Sequence, residues 1–261
     1  MTRYHTITIR HEGGIETITL NRPEKRNALN SQLIVELTQA LEAAAESKSG
    51  VVILTGTGSA FCAGLDLEHL QSMTAKTPAE HRKDSEGIAS LLRTLYDFPK
   101  PTIAAVNGAA IAGGMGLATV CDFTLAVPEA KFGYTEVRIG FIPAIVASFL
   151  LRQVGEKRTR DLLLSGRIIK APEAMEMGLV TRIVAEQDLF TEAESLAQTL
   201  LKNSPESMTA VKRLLSLHAR ERLDREIAEA IEWNARQRST EDFKEGVTAF
   251  LEKRTPVWPG R

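Results

Sequence analysis

Two glycine corners and one glutamate hold the residues in this chain whose types and spacing suit chemistry. The first corner is Asn107-Gly108-Ala109-Ala110-Ile111-Ala112-Gly113-Gly114-Met115-Gly116-Leu117. An apolar, β-leaning run, Pro101-Thr102-Ile103-Ala104-Ala105-Val106, leads into it, and Leu117-Ala118-Thr119-Val120-Cys121-Asp122 leaves it as one or two helical turns. The second corner, Ala63-Gly64-Leu65-Asp66, follows the apolar run Val51-Val52-Ile53-Leu54-Thr55-Gly56. At a glycine, backbone approaches a ligand without a Cβ in the way. A helix that opens there offers unpaired N–H groups and the positive end of its dipole. That geometry suits an anion, or a carbonyl oxygen on which charge develops, as in an enolate. Proton transfer beside such an oxygen needs a carboxylate. Glu136, between Gly133 and Gly140, is the candidate. The structural alternative is that the glycines serve close packing and Glu136 is a solvated strand-end residue.

Other chemistries fail on particular residues. Gly56-Thr57-Gly58 after a strand suggests a dinucleotide fingerprint, but Phe61 stands where the third glycine belongs. No Gly-Lys-Ser/Thr follows, so a phosphate loop fails too. There is no Gly-x-Ser-x-Gly, and His5, His11, His69, His81 and His218 lie in no triad context. Cys62 and Cys121 are far apart, which gives neither a disulfide framework nor a zinc signature, so no metal is expected. The net charge of −1 argues against nucleic-acid or anionic-membrane partners.

The elements that must position these corners read as α/β. The 261 residues are 43 % apolar and 25 % charged, enough for one large domain or a domain with an appendage. Tyr4–Arg10 and Ile15–Leu20 alternate around Gly13-Gly14, as in a hairpin. A polar loop, Asn21 to Asn27, carries Arg22, Lys25 and Arg26. Asn30 or Ser31 caps a helix with Leu33, Leu37, Ala40, Leu41 and Ala44 on one face. Beyond the second corner a short helix is expected over His69–Met73, a mobile loop over Thr74–Arg82, and a helix over Ser85–Phe98 stopped by Pro99-Lys100-Pro101. Strands are expected at Phe123–Val127 and Leu179–Val184. Helices are expected through Leu151, over Arg152–Gly166 and over Pro172–Met177. From Gln187 the pattern is helical, at about 187–202, 206–219, 221–238 and 240–253. The division falls as 1–195, a core holding the site, and 196–261, a helical region. Leu200, Leu201, Leu214, Leu215, Ile227, Ile231, Trp233 and Phe250 in or near that region suit packing against a neighbouring subunit or back over the chain's own site. With no leader or apolar span apparent, a cytoplasmic location is expected.

Taken together, the motifs resemble the crotonase, or enoyl-CoA hydratase/isomerase, family. They are Leu20-Asn21-Arg22-Pro23 with Asn27-Ala28-Leu29, Phe61-Cys62-Ala63-Gly64-Leu65-Asp66-Leu67, Pro101 to Gly108, Ala112-Gly113-Gly114, Cys121-Asp122, Lys131-Phe132-Gly133, Gly178-Leu179-Val180 and Phe250-Leu251-Glu252-Lys253-Arg254. Each is weak alone, but they cover nearly the whole chain in order. The resemblance implies a spiral of ββα units, a helical C-terminal trimerisation region, and a homotrimer or dimer of trimers. It implies an acyl-CoA thioester substrate, with no cofactor beyond the coenzyme A that is part of it.

Carried over by position, the resemblance makes the backbone N–H groups of Leu65 and Gly113 an oxyanion hole and Glu136 the proton carrier. Coenzyme A would run past Ala28, Ala63, Gly64, Leu65, Asp66, Leu67, Gly113 and Gly114. Lys25, Arg26 and Lys253 would suit its phosphates, with Asp66 fixing the corner. Family members often carry a lysine soon after the Ala-Gly-x-Asp motif; here it is Glu68. Two-glutamate hydratases carry a carboxylate at the position of Gly116, and dienoyl-CoA isomerases and aryl-CoA dehalogenases an aspartate at that of Ala144. Gly116 and Thr135-Glu136-Val137-Arg138-Ile139-Gly140 look like a single-glutamate branch that includes methylglutaconyl-CoA hydratases. The expected activity is hydration of a 2-enoyl-CoA. The alternatives are a Δ3,Δ2-enoyl-CoA isomerase using Glu136 alone and a CoA-binding protein without turnover.

Overall fold

The computed structural model describes residues 3–259, apart from the Leu67 side chain. Of the opening and closing segments, Met1, Thr2, Gly260 and Arg261 lie outside the described residues.

The alternating residues near the amino terminus form β1 (Ile7–Glu12) and β2 (Ile15–Leu20), an antiparallel hairpin with Ile9 opposite Ile18. β2 is buried except for half-buried Thr19, and its other edge pairs in parallel with β3 (Val51–Gly56). The sheet continues in parallel through β5 (Thr102–Val106), β7 (Phe123–Ala126) and β10 (Arg182–Ile183). Val51 to Leu54 and Ile103 to Val106 are buried without alternation, as strands covered on both faces require.

A second sheet holds β4 (Ala60–Cys62), β6 (Ala109–Ile111) and β8 (Lys131–Gly133) in parallel, with β9 (Ile169–Lys170) antiparallel at its edge. Each pass of the chain lays one strand in the first sheet and a three-residue strand in the second: β3 then β4, β5 then β6, β7 then β8. Helices follow: α1 (Ser31–Glu46) after the hairpin, α2 (Leu67–Met73) and α3 (Pro78–Tyr96) after β4, α4 (Gly113–Val120) after β6, α5 (Ala144–Ser165) after β8 and α6 (Ala171–Met177) after β9. This is the repeating ββα order expected from the sequence. The first corner is not one continuous turn, since β6 stands inside it.

Several boundaries move. α3 starts at Pro78, so the segment expected as a loop to Arg82 ends at Thr77. Thr77 Oγ1 accepts from the Glu80 N–H while a Glu80 carboxylate oxygen accepts from the Thr77 N–H, a capping box that holds a proline-led first turn. The break expected at Arg152 lies at Gly155, whose φ of +75° and ψ of 169° interrupt α5. The two helices expected over 206–219 and 221–238 are one, α8 (Pro205–Gln237). Arg220 and Glu221, read as a junction, lie on its outer side, while Ser216, Leu223 and Ala230 are buried.

α7 (Leu189–Leu200) spans residue 195, and α9 (Glu241–Leu251) closes the helical region. α8 packs on α3 and α5, and α9 returns to the turn at Glu136–Ile139. That contact is close: a Cβ on Gly246 would stand 2.3 Å from the Ile139 carbonyl carbon. Leu200, Leu201, Ile227 and Ile231 pack against the core, whereas Leu214, Leu215, Trp233 and Phe250 are exposed. Among the described residues no helix is long and apolar enough to cross a membrane.

Candidate active site

The two corners meet. Gly64, at φ +90°, adopts backbone that an L side chain resists, and a Cβ there would lie 3.0 Å from both the Ala112 Cβ and the Ile111 carbonyl oxygen. A Cβ on Gly114 would stand 2.1 Å from the Cys62 carbonyl oxygen. Both glycines are thus required by the approach of β4 to the start of α4. Neither lines the cavity described below, so they belong to its foundation rather than its wall.

The 22–29 loop locks the second corner. Asn27, fully buried, donates through Nδ2 to the carbonyls of Thr57 and Ala60 at 2.9 and 2.8 Å and accepts from the Arg22 N–H at 2.9 Å. Leu29 N–H donates to Gly64 O at 2.6 Å, and Asp66 N–H to Leu29 O at 2.9 Å. Those bonds flank Leu65 and leave its own N–H without an acceptor among the described residues. Asp66 caps α2 by accepting from the Glu68 N–H. Its Oδ2 lies 2.9 Å from Arg22 Nη2, an ion pair off the hydrogen-bond line. Burial raises the Asp66 carboxyl, but the Arg22 guanidinium and the Glu68 N–H outweigh it and hold it below the usual carboxylate range.

The first corner turns on Ala112. Its φ of +52° and ψ of −122° cost an L residue about 1–3 kcal/mol. The strain is held by its N–H, which donates to Gly133 O at 2.7 Å, and by its carbonyl, which accepts from the Gly116 N–H at 3.0 Å. The result is that Gly113 opens α4 with an N–H that meets no acceptor among the described residues.

Both corners face one cavity of about 950 Å³. Its wall includes Ala28, Ala63, Leu65, Asp66, Gly113 and Glu136, together with Lys25, Arg26 and Lys253. These candidate residues line one wall, whereas Gly64 and Gly114 are buried behind it and Leu67 opens α2 with a side chain outside the described residues. Lys25 Nζ pairs with Glu68 at 2.7 Å, so the glutamate standing at a frequent lysine position holds a cation of the wall.

Glu136 begins a short 3-10 turn, Glu136–Ile139, after Tyr134, whose buried hydroxyl bonds Thr119 Oγ1 of α4 at 2.8 Å. The glutamate is buried, and its Oε2 has no partner among the described residues. Burial pushes its carboxyl up from the ordinary range to about 7. A carboxyl balanced near neutrality, in the wall of a cavity and with one oxygen unpartnered, is suited to take and return a proton.

Three features of the site were hidden in the sequence. Arg254 also lines the cavity, but it is bound by Glu245 at 2.6 and 2.9 Å and by Glu252 at 2.6 Å. Asn234 reaches the wall from α8, and Val146 from α5. Val146 Cγ1 would stand 2.7 Å from a Cβ on Gly116.

A family model described as enoyl-CoA hydratase/isomerase matches residues 10–261. The chain belongs to the enoyl-CoA hydratase/isomerase family. A Thermus thermophilus relative bearing an enoyl-CoA hydratase name is 44 % identical over 247 residues, which cover 94 % of this chain and 97 % of its own. The 2,3-dehydroadipyl-CoA hydratase of Escherichia coli is 37 % identical over 246 residues, 94 % of each chain. Among solved structures, an enoyl-CoA hydratase/isomerase from Xanthobacter autotrophicus Py2 superposes with a TM-score of 0.89 at 29 % identity, covering 97 % of this chain and 98 % of that one. As a member of the family, the chain holds its two glycine corners and Glu136 around one cavity and has no side chain at position 116.

Proposed function

We propose that this member of the family hydrates a 2-enoyl-CoA thioester with Glu136 as its lone general acid and base. The observation that carries the reading is the buried Glu136 carboxyl, its Oε2 without a partner among the described residues, in the same wall as the free N–H groups of Leu65 and Gly113. The thioester oxygen accepts from those two N–H groups. Ionised Glu136 takes a proton from water as its oxygen bonds C3, and the electrons of the double bond move onto the thioester as an enolate. Glu136 then gives the proton to C2, which restores the carboxylate and closes the balance of one added water. The two N–H groups bind the developing oxyanion more strongly than the neutral carbonyl, which lowers the barrier.

Arg26 and Lys253 suit the phosphates of coenzyme A, with Lys25 shared with Glu68. Asp66 acts on the corner through Arg22 and the start of α2. No cofactor beyond the substrate's coenzyme A takes part in this scheme. Residues 1–195 serve as the catalytic core and 196–261 as the oligomerisation region of a cytoplasmic homotrimer or dimer of trimers. Support for a single-glutamate branch close to methylglutaconyl-CoA hydratases comes from Gly116 and from Val146 beside it.

That same packing favours a second reading, a Δ3,Δ2-enoyl-CoA isomerase, because one carboxylate is enough to move a proton from C2 to C4. Incubation with crotonyl-CoA, methylglutaconyl-CoA and a 3-enoyl-CoA separates the two when added water is followed by mass and isomerisation, which leaves the mass unchanged, by the ultraviolet absorbance of the conjugated 2-enoyl thioester. Hydration adds one water to a 2-enoyl ester. Isomerisation of the 3-enoyl ester with no water gained on any substrate would replace the first reading by the second.

A further inference from the structure

The part of the cavity wall supplied by α3, α5 and α8 consists of Ile88, Ala144, Ile145, Val146 and Asn234. It is apolar except for Asn234, which is 5 % exposed and whose side chain makes no hydrogen bond to any described residue. A lone amide in an apolar wall is costly unless something in the cavity meets it.

Behind it stands a buried cation. Arg238, which caps the C-terminal end of α8 one turn after Asn234, has a fully buried side chain. Its Nη1 donates to the His81 carbonyl at 3.0 Å, and its guanidinium lies 5.3 Å from the centroid of Phe141, which lines the same cavity. Its Nε and Nη2 and the His81 Nδ1 have no partner among the described residues. Asp84 is 3.7 Å from Arg238 but only 2.7 Å from Lys76, and His69 also faces it at 3.7 Å. Burial pushes His69 and His81 down against the pull of Asp84, and Arg238 falls only to about 10 and keeps its charge. Arg238 and Lys76 thus share the Asp84 carboxylate, which lies nearer Lys76, so the buried guanidinium is incompletely paired. Positive charge in a dry interior acts on a cavity with little screening.

We propose that this wall receives a second carboxylate, carried on the far end of the acyl chain. Asn234 touches it, and Arg238 attracts it from one layer behind. The cations suited to coenzyme A phosphates stand on other segments, at Lys25–Arg26 and Lys253, so the two anionic ends of such a ligand have separate partners. The inference rests on the reading of the cavity as a CoA-thioester site. It makes Arg238 a specificity residue that acts through space rather than a catalytic one.

The test uses binding of two unreactive esters of equal chain length, adipyl-CoA and hexanoyl-CoA, so that it does not depend on turnover. The wild-type protein should bind adipyl-CoA about tenfold or more tighter than hexanoyl-CoA. Asn234→Leu and Arg238→Met should each remove most of that ratio, and Arg238→Lys should keep most of it. Because Arg238→Met also removes a contact between α3 and α8, Asn234→Leu provides the independent reading. Equal affinity for the two esters in the wild type, or a ratio unchanged in Asn234→Leu, would overturn the proposal. Turnover of 2-enoyl esters is scored separately: binding preference without hydration counts against the hydratase reading and leaves this one standing.

Discussion

Val146 fills the space that a side chain at Gly116 would need. A Cβ on Gly116 would lie 2.7 Å from Val146 Cγ1 and 3.6 Å from Leu92 Cδ1. The position where two-glutamate hydratases are expected to carry a carboxylate is therefore closed as well as bare, which supports the proposal that Glu136 carries the proton. Gly116→Glu alone should not raise the hydration rate. It should lower stability by about 1–3 kcal/mol, the usual cost of overpacking, measured by denaturant unfolding. Pairing it with Val146→Ala should recover part of that loss. A faster enzyme from Gly116→Glu alone would show that the space is open.

Glu136 predicts a stability signature. Burial raises its carboxyl from 4.5 in the unfolded chain to about 7 in the fold. The folded state therefore binds the proton more tightly, so the stabilisation is complete below the unfolded value and is lost as pH rises through about 7. Glu136→Gln has no charge to bury. Its melting temperature should exceed that of the wild type at pH 8 and approach it at pH 4. The span corresponds to about 3 kcal/mol. A gap independent of pH would mean that the carboxyl is not held in a dry site.

Asp66 and Arg22 test the support of the second corner, proposed above as half of an oxyanion hole. Asp66→Ala removes the cap of α2, worth about 1 kcal/mol, and leaves Arg22, with a side chain 14 % exposed, without its ion pair. Because Leu65 lies between bonds made by Gly64 and Asp66, the substitution should reduce kcat more than it raises KM. A change confined to KM would place Asp66 among substrate-binding groups instead.

The sequence reveals what is local and hides what is folded together from a distance. The hairpin, α1 with its Asn30 cap, and the buried strands β3 and β5 follow from periodicity and a cap residue, and each appears as expected. The three-residue strands of the second sheet do not, because their only pattern is pairing with residues far along the chain. α3 begins early because a capping box outweighs a polar, proline-led composition. The glycine corners and Glu136 could be picked out as candidates because residue type and order mark them, and they line one cavity. Val146, 30 positions after Gly116, could not, since nothing in its type points to the corner it fills. Arg238 and Asp84 look like ordinary solvated charges until α8 lies against α3.

The most direct measurement is turnover of a 2-enoyl-CoA by Glu136→Gln, with ester affinity measured beside it. Glutamine keeps the size of the side chain and cannot carry the proton. If Glu136 is the lone acid and base, the hydration rate should fall about 10²- to 10⁴-fold while the dissociation constant for a saturated acyl-CoA stays close to that of the wild type. Hydration at the wild-type rate by Glu136→Gln would contradict the account.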